Sequence, residues 1–230
     1  MPSTSELLCI GIKRGKFRDN DATAKQADAV FETQRLGALQ SAQYRCERCG
    51  YESSVDLKKN RHSVLHIHHK DDNHHNNEPE NFIAYCSLDH AYHHIGCDAP
   101  SVGGARGWAS QMRIAFVPEI ASEDMNHLQR AIGAALTDPT EKEVATQMMD
   151  LLSILSLPVR DGMGSSQSKD FAAAFGSMSE KEYEDRLKAV EGLRVLFHPD
   201  LLKQVGNELL IDSPLFSVNS WEGIGSGFGI

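Results

Sequence analysis

Cys46-Glu47-Arg48-Cys49 is a C-x2-C pair followed by Gly50, a spacing that lets two thiolates reach one metal ion from a tight turn. A second half-site, Cys86-Ser87-Leu88-Asp89-His90, begins 37 residues after Cys49. Asp89 stands in the x2 register that a second cysteine would occupy. His90 is the commoner ligand type and lies one turn from Cys86 if that segment is helical. Carboxylate and imidazole both bind zinc, so either residue completes a site with Cys46, Cys49 and Cys86. A redox dithiol would need a strand-then-helix setting of the thioredoxin kind, which the sequence around Cys46 lacks.

Histidine is the sharper anomaly. Nine of the eleven histidines fall between His62 and His94, the stretch that Cys46, Cys49 and Cys86 bracket. Within it run His66-Ile67-His68-His69, then Asn81, then His90, His93 and His94. A strand ending in His-His, a loop with Asn and a helix carrying His is the order of the ββα-metal, or HNH, nuclease motif. In such a site one His takes a proton from water, the Asn holds it, and other His or Asp groups bind a divalent cation that stabilises phosphorane charge. The order nominates His69 as base, Asn81 as its orienter, and His68, His90 and His94 as cation ligands. The competing reading is a zinc-stapled ββα fold whose surplus histidines, His62, His74 and His75 among them, are loop residues.

The elements that must position these groups can be read from periodicity. Leu7 to Ile12 reads as a strand, followed by the basic turn Lys13-Arg14-Gly15-Lys16. Ala29, Phe31, Leu36 and Leu39 recur at helical spacing and predict a helix over 22–41, leading into the first cysteine pair. Residues 63–69 alternate as a strand, 71–80 form a polar loop, and Asn81 to Cys86 re-enters apolar sequence before a short helix bearing His90 and His94. Residues 101–107 are a glycine-rich turn, and Met112 to Val117 alternates as a further strand ending at Pro118. The second half reads as helices. Ser122 caps one that carries Met125, Leu128, Ile132 and Ala135, with acid in its first turn. Asp138-Pro139 starts another, striped by Val144, Met148, Leu151, Leu152 and Leu155. Residues 162–169 form a flexible connection, and Ser179 to Glu182 is a capping box before Tyr183, Leu187 and Val190.

Composition narrows the class. The 230 residues are 40% hydrophobic and 24% charged, ordinary for a globular protein and ample for an unstapled core. No apolar run reaches the roughly 18 residues a membrane span needs, no signal peptide is evident, and five cysteines make no disulfide framework, so a reducing cytoplasm is expected. The net charge of −9 is uneven: residues 1–70 hold 12 basic against 8 acidic residues, and 71–230 hold 11 against 24. That balance argues against a DNA-wrapping protein and suits one that docks other proteins. The expected organisation is α+β, with a small zinc-stabilised HNH-like core and added strands in 1–120. A helical part over 121–210 packs on it, and a flexible Gly/Ser-rich tail, 211–230, spaces Phe216, Trp221 and Phe228 as docking anchors.

Several weak motifs in chain order resemble the DotN/IcmJ family over roughly residues 5–205. They are Tyr44-x-Cys46-x2-Cys49-Gly50, Glu80-Asn81-Phe82-Ile83 running into Cys86, Ser101-Val102-Gly103-Gly104, Val117-Pro118-Glu119, and a helix with Leu128 and Ala131-Ile132. The resemblance implies a small cytoplasmic zinc protein of HNH-like fold, bound to the coupling ATPase and other subunits of a type IVB secretion coupling complex at the inner membrane. It also implies zinc on Cys46, Cys49, Cys86 and, by register, Asp89, where the family has cysteine. The expected function is therefore that of a zinc-binding adaptor that helps recruit effectors. The alternative is a metal-dependent HNH endonuclease acting on DNA, with His69 and Asn81 catalytic and a second cation on His68 and His94. The adaptor is preferred because a zinc that takes His90 removes it from that cation, and because little positive charge surrounds the motif to hold DNA.

Overall fold

A computed structural model describes residues 10–12, 24–55, 63–96 and 111–212. The residues at 13–16 and 101–107 and the tail from 213 onward, with its three aromatics, lie outside the described residues. Helix α1 (Ala24–Ser41) turns Leu39 inward, half-buries Phe31 and leaves Val30 and Leu36 outside. It stops where Gln43 and Tyr44 take φ of 54° and 53°, which reverses the chain into the first cysteine pair. There Cys46 N donates to Tyr51 O and Gly50 N to Cys46 O, closing a knuckle that needs Gly50 at φ 74°.

Strands β1 (His66–His69) and β2 (Phe82–Tyr85) pair antiparallel, with His66 opposite Tyr85 and His69 opposite Phe82. Helix α2 (Ser87–Tyr92) follows directly, capped by Cys86. Glu47 joins the knuckle to β2: its N–H donates to Ala84 O, and its carboxylate accepts from Ala84 N at 2.6 Å. A second antiparallel pair joins β3 (Arg113–Phe116) to β4 (Leu193–Leu196). Between them run α3 (Ser122–Ala135), α4 (Lys142–Ile154), α5 (Leu157–Met163), α6 (Ser168–Ser177) and α7 (Glu180–Asp185), and α8 (Pro199–Asp212) closes the described chain. The described residues mix helices with two short antiparallel strand pairs. One apolar core runs from Ile10 through the hairpin and α2 to Leu202 and Val205, across the expected boundary near residue 120.

Several expectations change. The second half is not purely helical, because Leu193 to Leu196 completes the sheet of β3. Ser122 is the first residue of α3 rather than its cap; Ala121 holds the cap position without a side-chain bond. Asp138 starts a turn, accepting from Thr140 N and Glu141 N, and α4 begins only at Lys142. Of its stripe, Val144, Met148 and Leu151 are exposed. Residues 162–169 are ordered: Ile114 N donates to Ser166 O and Ser168 N to Met112 O, which seats this segment along β3. Residues 10–12 carry no strand, although Gly11 bonds to Tyr92 O and Ile95 N. The capping box is present, with Ser179 N donating to the Glu182 carboxylate at 2.8 Å.

Helices α3 and α8 cross at contact distance. A Cβ on Gly133 would lie 1.9 Å from Leu202 O, and one on Gly206 would lie 2.1 Å from Ala134 N. This crossing holds α3 with its buried polar residues turned to α2, the knuckle and β4. Gln129 is one of them, donating to Val195 O and accepting from Phe197 N, each at 2.9 Å.

Candidate metal centres

Cys46 and Cys49 come from the knuckle, and Cys86 and Asp89 from the start of α2. One ligand atom of each lies within 4.8 Å of the others, so the four could hold a metal ion. Tetrahedral bonds of about 2.3 Å to sulfur put two sulfurs about 3.8 Å apart. Cys49 and Cys86 Sγ stand 3.6 Å apart, and Cys46 Sγ is 2.9 Å from Asp89 Oδ2. The sulfur pair meets that spacing, whereas Cys46 and Asp89 would have to part by about half an ångström to share an ion, since bonds of about 2.3 Å and 2.0 Å set sulfur and oxygen about 3.5 Å apart. Cys46, Cys86 and Asp89 are at most 1% exposed, which leaves the group closed to substrate.

Asp89, and not His90, stands with the cysteines. The two residues are consecutive on α2 and about 100° apart around its axis. Cys86 at the cap accepts from Asp89 N, which turns the Asp89 carboxylate back over the knuckle. Asn126 on α3 donates to Asp89 Oδ1 at 2.5 Å, leaving Oδ2 facing Cys46 and accepting from Cys49 N. His127 Nε2 bonds to Cys49 O at 2.7 Å. Arg130, 2% exposed, lies with its guanidinium 4.1 Å over the Tyr51 ring, near enough to Cys86 for each charge to favour the other. A divalent ion with three thiolates and a carboxylate carries a formal charge of two minus, and Arg130 supplies a buried countercharge.

Proton sharing among the sulfurs shows which groups must ionise when metal enters. Hydrogen bonding to Cys49 and Cys86, and then burial, push the Cys46 thiol well above its ordinary range. Burial also opposes the Cys86 thiolate, but bonds from Cys46 and Cys49 and the Arg130 charge hold it well below 9.0. Burial, with the nearby Cys86 charge, pushes the Asp89 carboxyl up to about 6.

A second group gathers on the other side of α2. His68 from β1, His90 from α2 and His94 just past its end each bring a ring nitrogen within 4.8 Å of the others. His90 Nε2 and His94 Nε2 are 3.2 Å apart. The nominated base does not join them. Side chains alternate along a strand, so His66 and His68 face α2 while Ile67 and His69 face α1. His66 stacks on His90 at 4.8 Å, whereas His69 packs against Phe31, His74 and Phe82 and is 2% exposed.

Asn81 does not orient His69 either. It donates to Asp71 Oδ1 and Asn76 O and accepts from Asp71 N, tying down the loop between the strands. Asn77 is the residue that bonds His69 Nε2, at 3.0 Å. Sequence reasoning missed Asn77, Asn126 and Arg130. The last two stand one turn apart on α3, well round its axis from Met125 and Ile132, so the apolar pattern of the helix gave no signal for them. No family model and no curated protein matches the chain.

Proposed function

We propose that this chain is a zinc-stapled, HNH-like adaptor of the DotN/IcmJ kind. In that reading it is a cytoplasmic subunit of a type IVB secretion coupling complex at the inner membrane, where it binds the coupling ATPase and helps recruit effectors. Zinc suits three thiolates and a carboxylate, and a closed site suits a structural ion. The hairpin followed by α2 agrees with a ββα-metal core, and no helix among the described residues is long and apolar enough to cross a membrane.

The observation that carries the docking reading is on α4. Val144, Met148, Leu151 and Ile154 follow helical spacing and remain exposed, Leu151 by 65%. An amphipathic helix with its apolar stripe outward presents a surface that a partner would cover. The partner's identity rests on the family resemblance. The test is a binding titration of the full chain with the coupling ATPase of its own secretion system. Val144→Asp with Leu151→Asp should weaken binding at least about tenfold, about 1.4 kcal/mol, without changing the melting temperature. Unchanged binding would contradict the docking face.

A second reading, HNH endonuclease, is favoured by the convergence of His68, His90 and His94, because Asp89 frees His90 from the cysteines. The place of His69 counts against it: a general base must reach the attacking water beside the cation, and this one is sealed against α1. Plasmid incubated with the full chain and Mg²⁺ or Mn²⁺ should show no more nicking than with His69→Ala. Metal-dependent cleavage that the variant abolishes would replace the adaptor reading.

A further inference from the structure

A cleft of about 540 Å³, within the range of small-molecule sites, opens where α4, the β3–β4 sheet and the starts of α6 and α8 meet. Its floor is apolar: Leu196 and Phe197 come from the end of β4, Leu202 from α8, and Met149 and Leu152 from α4. Gln129 fixes that floor, because its amide is spent on Val195 O and Phe197 N. Met149 and Leu152 stand roughly 80° to 160° round α4 from Val144 and Leu151, so the cleft and the exposed stripe are different faces of one helix.

The rim is cationic. Arg113 at the start of β3 and Lys169 in the first turn of α6 are exposed, and among the described residues neither has a hydrogen bond or an ion pair. His198, half-buried just before α8, accepts from Asp200 N on Nδ1 at 3.2 Å, so its neutral ring carries the proton on Nε2 and donates there. The positive ends of α6 and α8 add to the same sign. Asp150 is the one carboxylate among the described lining residues. Asp170 and Asp200, the acids in the first turns of the two helices, are bonded to Ser165 and Lys203.

We propose that this cleft binds an organic anion, a carboxylate joined to an apolar group. The carboxylate pairs with Arg113 and Lys169, and the apolar group covers Leu196, Phe197 and Leu202. A guanidinium can hold both carboxylate oxygens at once, which sets the orientation of the ligand. Inorganic anions would leave the floor wet, and on exposed cations alone they would bind weakly. A neutral apolar ligand would leave the cations unused. The same chemistry comes from a small free acid or from the C-terminus of a chain whose last residue is apolar. The proposal does not rest on the docking reading, since it uses neither the outward stripe of α4 nor the ATPase.

The test follows backbone amide shifts of the ¹⁵N-labelled full chain during titration with 3-phenylpropionate. Saturable shifts are expected over 111–113, 149–153, 167–169 and 196–202. The uncharged 3-phenylpropanamide, of the same shape, should bind at least about tenfold more weakly. Arg113→Gln with Lys169→Gln should weaken 3-phenylpropionate by about the same factor, leaving the melting temperature and the affinity for the amide unchanged. Asp150→Asn should tighten the acid about two- to threefold, a gain that damage to the fold would not give. Val144→Asp with Leu151→Asp should leave its affinity unaltered. N-acetylphenylalanine separates the two sources: tighter binding than 3-phenylpropionate supports a chain end, and weaker binding supports a free acid. The proposal is overturned if no saturable shift occurs, if the shifts centre on other residues, or if the amide binds as tightly as the acid.

Discussion

Asp89→Asn is expected to move stability in opposite directions with and without metal. In the metal-free chain burial, joined by the Cys86 charge, raises the Asp89 carboxyl from 3.8 to about 6. The folded state therefore holds this proton more tightly than the unfolded state does. Ionising the buried carboxyl costs stability progressively as pH rises from about 4 to 6, and the full cost applies above that. About two pKa units correspond to about 3 kcal/mol as an upper bound. Asparagine has no charge to desolvate, can still accept from Asn126 and offers an N–H to the Cys46 sulfur, while it gives up only the long bond from Cys49 N. The metal-free variant should gain about 1–3 kcal/mol over wild type at neutral pH and nothing near pH 4. With metal bound the sign reverses: the site loses an anionic ligand, and metal retention should fall at least tenfold, by roughly 1.4 kcal/mol. Urea unfolding of the full chain, with and without zinc at both pH values, measures each term. The reasoning fails if the variant is less stable than wild type without metal at neutral pH, or equally stable with it.

Gly133→Ala should cost about 2–4 kcal/mol, because overpacking against Leu202 outweighs a helix-propensity gain near 1 kcal/mol. A melting temperature lower by roughly 5–15 °C is expected. Gly37→Ala is the control: it lies exposed on α1 with nothing within 4 Å of its Cβ and should stabilise by about 0.5–1 kcal/mol. Asn81→Ala should free the 71–76 loop at a cost of about 1–2 kcal/mol, read by unfolding and local hydrogen exchange. At Asp71 burial works to raise the carboxyl, but bonds from Asn76, Asn73 and Asn81 win and hold it below 3.8. The loop's contribution is therefore full above about pH 4 and is lost as pH falls through the lower folded value, so the gap between wild type and Asn81→Ala should narrow in acid. Tyr183→Phe removes the hydroxyl that accepts from Ile12 N and donates to Ile12 O, and should cost about 1–2 kcal/mol in thermal unfolding.

What the sequence revealed was local. The knuckle follows from C-x2-C-Gly, β1 and β3 from alternation, and the α7 start from Ser179 and Glu182, because each depends on neighbours in the chain. The choice between Asp89 and His90 was not local. It turned on where α2 begins and on Asn126, whose position 37 residues away no spacing reveals. The HNH order put His68 and His69 in one site on paper, yet the two-residue period of a strand sends them to opposite faces once the hairpin pairs in regular register. The α4 stripe was legible as an apolar face, but helical spacing does not say whether anything covers it. Strand β4 was too short to distinguish from a helix end, and only its pairing with β3 identifies it.

The most direct test of a Cys3Asp zinc staple is X-ray absorption at the zinc edge. The sample is the full-length His90→Ala, His94→Ala variant loaded with one equivalent of zinc. Three sulfurs at about 2.3 Å and one oxygen at about 2.0 Å are expected. A nitrogen shell, four sulfurs, or failure to retain the zinc would contradict the assignment of Cys46, Cys49, Cys86 and Asp89.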